Sequence, residues 1–205
     1  MKIKHLLLPL LAAITLTACS DEPKDTPKYT TLETPVTVTN VPSINEIFSL
    51  SCSACRAMED AIPAIEQAVG EKVGKSHVTF NESSTFAALI YYSAISQTNG
   101  NPPEALVKDL FKYVQEQQTE SVEENKTILS ALFAKYGLTS PYDLDEAQQE
   151  KMFAEIERAD QITVESGITS VPAFLVNGKY LVHTNAHESA ADLASTLKTL
   201  LNKDK

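Results

Sequence analysis

The chain has 205 residues, of which 43% are apolar and 21% charged, with a formal net charge of −10. That is enough apolar material for one domain with a sizeable core, or one domain carrying an insertion. The acidity argues against nucleic acid as a partner and is read as a source of solubility.

At the N-terminus, Lys2 and Lys4 precede an apolar run from Leu6 to Ala18 broken only by Pro9, Thr15 and Thr17. The run is too short to cross a bilayer and has the layout of a secretory signal, residues 1–18. It ends Leu16-Thr17-Ala18-Cys19, which resembles the lipobox of bacterial lipoproteins, where the cysteine becomes the acylated first residue of the mature chain. An ordinary signal would instead leave Cys19 as a stray thiol. The chain has three cysteines, so acylation of Cys19 leaves Cys52 and Cys55 as a pair, with no odd thiol in an oxidising compartment. Ser20, rather than Asp, follows Cys19, which in such lipoproteins implies an outer-membrane anchor. Without Lys2 and Lys4 the mature chain has 15 basic and 27 acidic residues, a net charge of −12.

Residues 19–28 are polar, contain Pro23 and Pro27, and read as an extended tether. Tyr29 to Val38 has strand propensity, and Ser43 to Leu50 reads as a buried strand leading into Cys52. A helical pattern follows through Met58, Ala61, Ile62, Ile65 and Val69, and Pro63 is expected to kink that helix after its second turn. Ser76 to Phe80 alternates as a short strand.

Cys52 and Cys55 therefore stand at i and i+3 where a strand gives way to a helix. At a helix N-terminus the unpaired N–H groups and the dipole favour a thiolate, so the Cys52 pKa is expected to fall. Cys55 is in reach to close a four-residue disulfide or resolve a mixed one. A zinc site would need two more ligands, and the chain offers no second CxxC and no CxxH, with His5, His77, His183 and His187 scattered. A structural staple over so short a loop would remove little unfolded-chain entropy. Redox chemistry is the reading these residues favour.

From Ser83 to about Gly167 only helical spacing is present: Phe86, Leu89, Ile90, Ala94; Leu106, Val107, Leu110, Phe111, Val114; Ile128, Leu129, Leu132, Phe133; Met152, Phe153, Ile156, Ala159, Thr163. Pro102-Pro103 opens one helix, Ser121 to Glu124 reads as a capping box, and Gly137 and Gly167 close helices. Strand character returns at Ala173 to Val176, then Asn177-Gly178 signals a two-residue hairpin to Lys179–Val182. A last amphipathic helix begins near His187. The order specifies an α/β sheet domain split by an all-helical insertion: residues 29–82 and 161–205 form the sheet domain, residues 83–160 the insertion.

A CxxC opening a helix after a buried strand suggests the thioredoxin fold. With Thr169-Ser170-Val171-Pro172-Ala173-Phe174-Leu175-Val176-Asn177-Gly178-Lys179-Tyr180, Tyr29-Thr30-Thr31-Leu32-Glu33, Lys75-Ser76-His77-Val78-Thr79-Phe80 and the helical insertion, the chain closely resembles the DsbA family of periplasmic thiol:disulfide oxidoreductases, from about Tyr29 to the end. The resemblance implies a thioredoxin-like fold interrupted by a helical insertion. It implies that Pro172 is cis beside the active-site disulfide and that Val171 offers its backbone to a bound peptide. It also makes Glu46 the family's buried acidic residue and Lys75 its basic partner, a pair placed to relay protons as Cys55 changes state. Glu59 and Asp60 match an acidic pair in the family but are read here as a solvated helix face. The founding member has Pro-His between its cysteines where this chain has Ser53-Ala54, so a cationic side chain is missing beside Cys52. Backbone N–H groups, Ser53 and more remotely Arg56 are left to stabilise it, and a milder oxidant is expected.

The resulting expectation is a lipid-anchored oxidoreductase of the bacterial periplasm that introduces disulfides into reduced or misoxidised secreted proteins through Cys52 and Cys55. It would need no metal or organic cofactor, would be reoxidised by a DsbB-like quinone-linked membrane protein, and would be a monomer held to the lipid bilayer by Cys19. The alternatives are an envelope reductase or isomerase kept reduced by a membrane electron donor, and a non-catalytic thioredoxin-fold binding module.

Overall fold

Of the strand-prone stretch Tyr29–Val38, only Tyr29–Thr31 pairs, as the edge strand β1. Pro35 interrupts the rest, since it has no N–H to give to a ladder; Leu32 and Val36 still donate single bonds to Lys179 O and Gly178 O. The protein is described by a computed structural model covering residues 27–203. The signal segment, Cys19 and most of the tether lie outside the described residues. No helix among the described residues is long and apolar enough to cross a membrane.

Strand β2, Ile44–Phe48, is buried throughout and sits inside the sheet. It runs parallel to β3, Gly74–His77, and antiparallel to β4, Ala173–Val176, which pairs with β5, Tyr180–His183. The order is β1-β5-β4-β2-β3. The hairpin between β4 and β5 turns on Asn177 (φ 51°) and Gly178 (φ 64°), the left-handed pair that a two-residue turn of this kind requires.

The helix expected to kink at Pro63 is instead two helices, α1 (Ser53–Glu59) and α2 (Ile62–Val69). A proline cannot donate to the carbonyl four residues back and its ring collides there, so the chain breaks at Asp60-Ala61 and Pro63 enters the first turn of α2, where no donor is needed. The insertion contains α3 (Glu82–Gln97), α4 (Glu104–Lys112), a π-helical turn (Tyr113–Gln117) and α5 (Val122–Lys135). The box at Ser121 forms by half. Its hydroxyl accepts from Glu124 N–H at 3.3 Å, while its own N–H goes to Thr119 Oγ1 rather than to a glutamate.

Helix α6, Glu146–Ser166, crosses residue 160 without a break. Its Met152 and Ala159 belong to the core of the helical insertion, and its Ile162 packs on the sheet. The opposite face of the sheet is covered by α2 and by α7, Ala190–Leu201, through Ile65, Val69, Leu193 and Leu197. Phe48, Leu50 and Cys55 are buried in the insertion core, so the end of β2 and the start of α1 lie where the two parts of the chain meet. Two residues placed by spacing on inward helical faces, Phe86 and Phe153, are instead 40% and 54% exposed.

Candidate active site

Between β2 and α1 the chain makes a tight turn in which Cys52 N–H donates to Ser49 O at 3.0 Å. Cys52 is the N-cap of α1, in extended backbone, and its Sγ accepts Cys55 N–H at 3.0 Å, as a capping oxygen would. The two cysteines form a disulfide with Cα atoms 5.2 Å apart. Cys52 is partly exposed and Cys55 wholly buried, so an incoming thiolate reaches only Cys52. Ser53 and Ala54 are exposed at the rim.

The pairing of Ile47 with Ala173 brings the start of β4 beside this turn. There the Val171–Pro172 bond is cis, as expected, and Val171 O lies 3.6 Å from Cys52 Sγ. Thr184 Oγ1 donates to Pro172 O at 2.7 Å and fixes the loop from below.

Two residues that did not stand out in the sequence hold the turn. His77 is fully buried, donates from Nδ1 to Val78 O at 2.8 Å, and so presents a bare Nε2 that accepts Leu50 N–H at 2.8 Å. Burial pulls its pKa down to about 4, against the opposing effect of the Val78 bond, so the ring is neutral and this tautomer persists at neutral pH. From the π-helical turn, Gln115 Nε2 donates to Leu50 O at 2.8 Å and Cys52 O at 3.2 Å. Its neighbour Glu116 pairs with Arg56 of α1 at 2.5 Å. Gln115 is 63 residues from Cys52, and no local pattern announces such a contact.

Beneath Cys55 lies a buried charge cluster. Residues alternate along a strand, so Glu46 faces the same way as Ile44 and Phe48, toward the helices, and the parallel register sets Lys75 directly opposite it. Lys75 Nζ donates to Glu46 Oε2 and, at 2.5 Å, to Glu59 Oε1. Glu59 thus corrects the expectation of a solvated face. It is 6% exposed, because at i+4 from the buried Cys55 it shares the inward face of α1. That spacing was the available signal. Asp60 does stay at the surface, 3.4 Å from Lys108.

Burial raises Glu46 to about 7, and the adjacent Lys75 ammonium only partly offsets it; among the described residues Glu46 Oε1 has no hydrogen-bond partner. For Lys75, burial would lower the pKa, but the carboxylates of Glu46 and Glu59 more than compensate and raise it. Lys75 therefore stays charged while Glu46 exchanges its proton near neutrality. The Nζ also sits 5.0 Å above the Phe48 ring, which packs in the same core as Cys55. A cavity of about 460 Å³ reaches Lys75 and Glu59 from a side that includes neither cysteine.

Residues 36–199 match the family profile described as Thioredoxin. The chain belongs to the thioredoxin family. Among solved structures, DsbA from Klebsiella pneumoniae is 21% identical, with 88% of this chain and 99% of that one covered and a TM-score of 0.65. Pseudomonas aeruginosa DsbA is 18% identical over 86% and 92%, with a TM-score of 0.66. Proteus mirabilis DsbA in complex with a non-covalently bound, cysteine-containing peptide is 21% identical over 86% and 94%, with a TM-score of 0.60. These likenesses establish the fold, a thioredoxin domain with the helical insertion of the DsbA structures. No curated protein matches the sequence.

Proposed function

We propose that the protein is an envelope thiol:disulfide oxidoreductase that introduces disulfides into secreted proteins. The observation that carries this reading is the Cys52 sulfur, partly exposed, bonded by Cys55 N–H and facing Val171 O beside Pro172, with Cys55 buried behind it. A substrate thiolate attacks Cys52 Sγ; a substrate–Cys52 disulfide forms, the Cys52–Cys55 bond breaks and Cys55 leaves as a thiolate. A second substrate thiolate then attacks the substrate sulfur of the mixed disulfide and Cys52 leaves. Two electrons pass from substrate to enzyme. The buried Cys55 thiolate takes up a proton, and Glu46, with its pKa raised to about 7 and bonded to Lys75, would exchange one with it.

The Cys52 thiolate is stabilised by Cys55 N–H and the open end of α1, a helix of only seven residues with a small dipole. Arg56 is the nearest cation in sequence, but its guanidinium is engaged by Glu116. This arrangement supports a mild oxidant, and it is also the specific observation in favour of a reductase as the second reading. Reoxidation would fall to a quinone-linked membrane partner of the DsbB type, and Cys19 would provide the lipid anchor. The bound peptide of the Proteus mirabilis protein supports a peptide lying along the Val171–Pro172 edge here as well.

The test is trapping. A Cys55→Ser variant incubated with an oxidised client should accumulate a mixed disulfide through Cys52, while Cys52→Ser should form none and lose oxidase activity in refolding assays. Full activity of Cys52→Ser would contradict the proposal.

A further inference from the structure

Next to Cys52 on the insertion side is a cavity of about 410 Å³ lined by Ser51, Ser53, Ser83, Gln115 and Gln118, with Phe86 at one edge. Phe86 is shared with a second cavity, of about 280 Å³, lined by Leu89, Pro141, Tyr142, Met152 and Phe153. The Phe86 ring lines both, so the polar cavity beside Ser51 and Ser53, the residues that flank Cys52, neighbours an apolar hollow on α3 and α6. No lining residue of either cavity is an acid or a base, on a chain in which 21% of residues are charged. Among the described residues, six large apolar side chains are exposed, and three of them, Phe86, Tyr142 and Phe153, converge on the second cavity. Solvated helix faces do not normally gather aromatic rings around a hollow.

We infer that this surface binds the substrate polypeptide beyond its cysteine: the polar step takes uncharged backbone or side chain, and the apolar hollow anchors an aromatic or large aliphatic side chain. The inference rests on the oxidoreductase reading and adds a specificity site to it. The position of the polar cavity against Ser51 and Ser53, on either side of Cys52, selects the substrate chain as the occupant. A peptide held at Cys52 by exchange is already at the entrance, and its next residues need only follow the uncharged lining. Extended clients with such a residue at the right separation would be preferred over equally reactive ones without it. Because the hollow lies on the insertion, it would give this part of the chain a part in client selection.

The experiment uses reduced cysteine peptides in which one phenylalanine is moved through successive positions on either side of the cysteine, with an alanine peptide as reference. The readout is the ratio of kcat/KM for each peptide to the reference, so differences in folded fraction or in the redox step cancel. Wild type should prefer the best-placed peptide about tenfold, the worth of one buried aromatic side chain. Phe153→Glu, at a position 54% exposed, should bring the ratio to about one, and Val164→Glu, elsewhere on α6 and 71% exposed, should leave it at the wild-type value. A ratio near one in wild type, or a preference unchanged by Phe153→Glu, would overturn the inference while leaving the redox reading intact. Failure of wild type to oxidise even the reference peptide would overturn both. Self-association of the wild type that Phe153→Glu abolishes would assign the hollow to a second copy and also overturn it.

Discussion

At the mouth of the site, Cys52 is met by Ser53, Ala54, the Cys55 N–H and the Val171 carbonyl, and none of these carries a charge. A short distance below, around Cys55, the chain buries Glu46, Lys75 and Glu59 together, with neutral His77 bracing the turn above. The contrast separates two tasks. In the proposed mechanism the nucleophile is controlled by backbone hydrogen bonds, which would set how strongly the disulfide oxidises. Proton supply in that mechanism falls to the buried cluster, where low dielectric makes each charge count for more.

The floor is the easier half to break. Lys75→Met leaves two carboxylates buried without their shared cation, and above pH 7 this should cost about 3–5 kcal/mol in denaturant unfolding of the oxidised protein. The loss should be largest at alkaline pH and shrink as pH falls toward 7, because without the Lys75 ammonium Glu46 holds its proton to a higher pH than in wild type.

Glu46→Gln sharpens the same point by pH. Folded Glu46 sits at about 7 against an ordinary value of 4.5, so the folded state binds the proton more tightly, and its ionisation removes stability as pH rises from 4.5 to 7. His77 has the opposite sign. Held at about 4 against 6.5, it contributes stability above 6.5 that is lost as pH falls toward 4. In wild type the two slopes oppose each other between pH 4.5 and 6.5. Glu46→Gln removes one slope, so the variant should gain roughly 2–3 kcal/mol on wild type between pH 4.5 and pH 8, read from denaturation midpoints across pH.

The mouth should respond more gently. Ala54→His places a potential cation and hydrogen-bond donor beside Cys52, and should lower its pKa and make the disulfide more oxidising by about 30–60 mV, ten- to a hundredfold in the exchange equilibrium. Equilibration with glutathione measures this directly. No change would mean that the residue between the cysteines does not govern the thiolate here.

The parts of this site that were legible in the sequence are those written locally. Cys52, Cys55, the strand before them and Pro172 before Ala173–Val176 are contiguous signals, and the structure keeps them together. Glu46 and Lys75 needed a register between β2 and β3, which the family resemblance supplied. Glu59 stands four residues from Cys55, a separation that assigns it to the inward face of α1 and that the expectation of a solvated face leaves out. Gln115 and the exposed ring of Phe153 depend on how the insertion docks, through contacts across 60 or more residues that no periodicity encodes. Strand β1 ends sooner than the strand propensity of Tyr29 to Val38 predicts, and the local reason, Pro35, is present in the sequence.

The most direct test of the central claim is the redox equilibrium of Cys52 and Cys55 in glutathione buffers, on a soluble chain beginning after Cys19, with the Cys52 pKa titrated alongside. Backbone stabilisation without a side-chain cation predicts a thiolate at neutral pH and a potential between those of thioredoxin, about −270 mV, and the strongly oxidising DsbA of the Pro-His type, about −120 mV. A potential as reducing as thioredoxin's, with a near-normal thiol pKa, would contradict the account and make the protein a reductase.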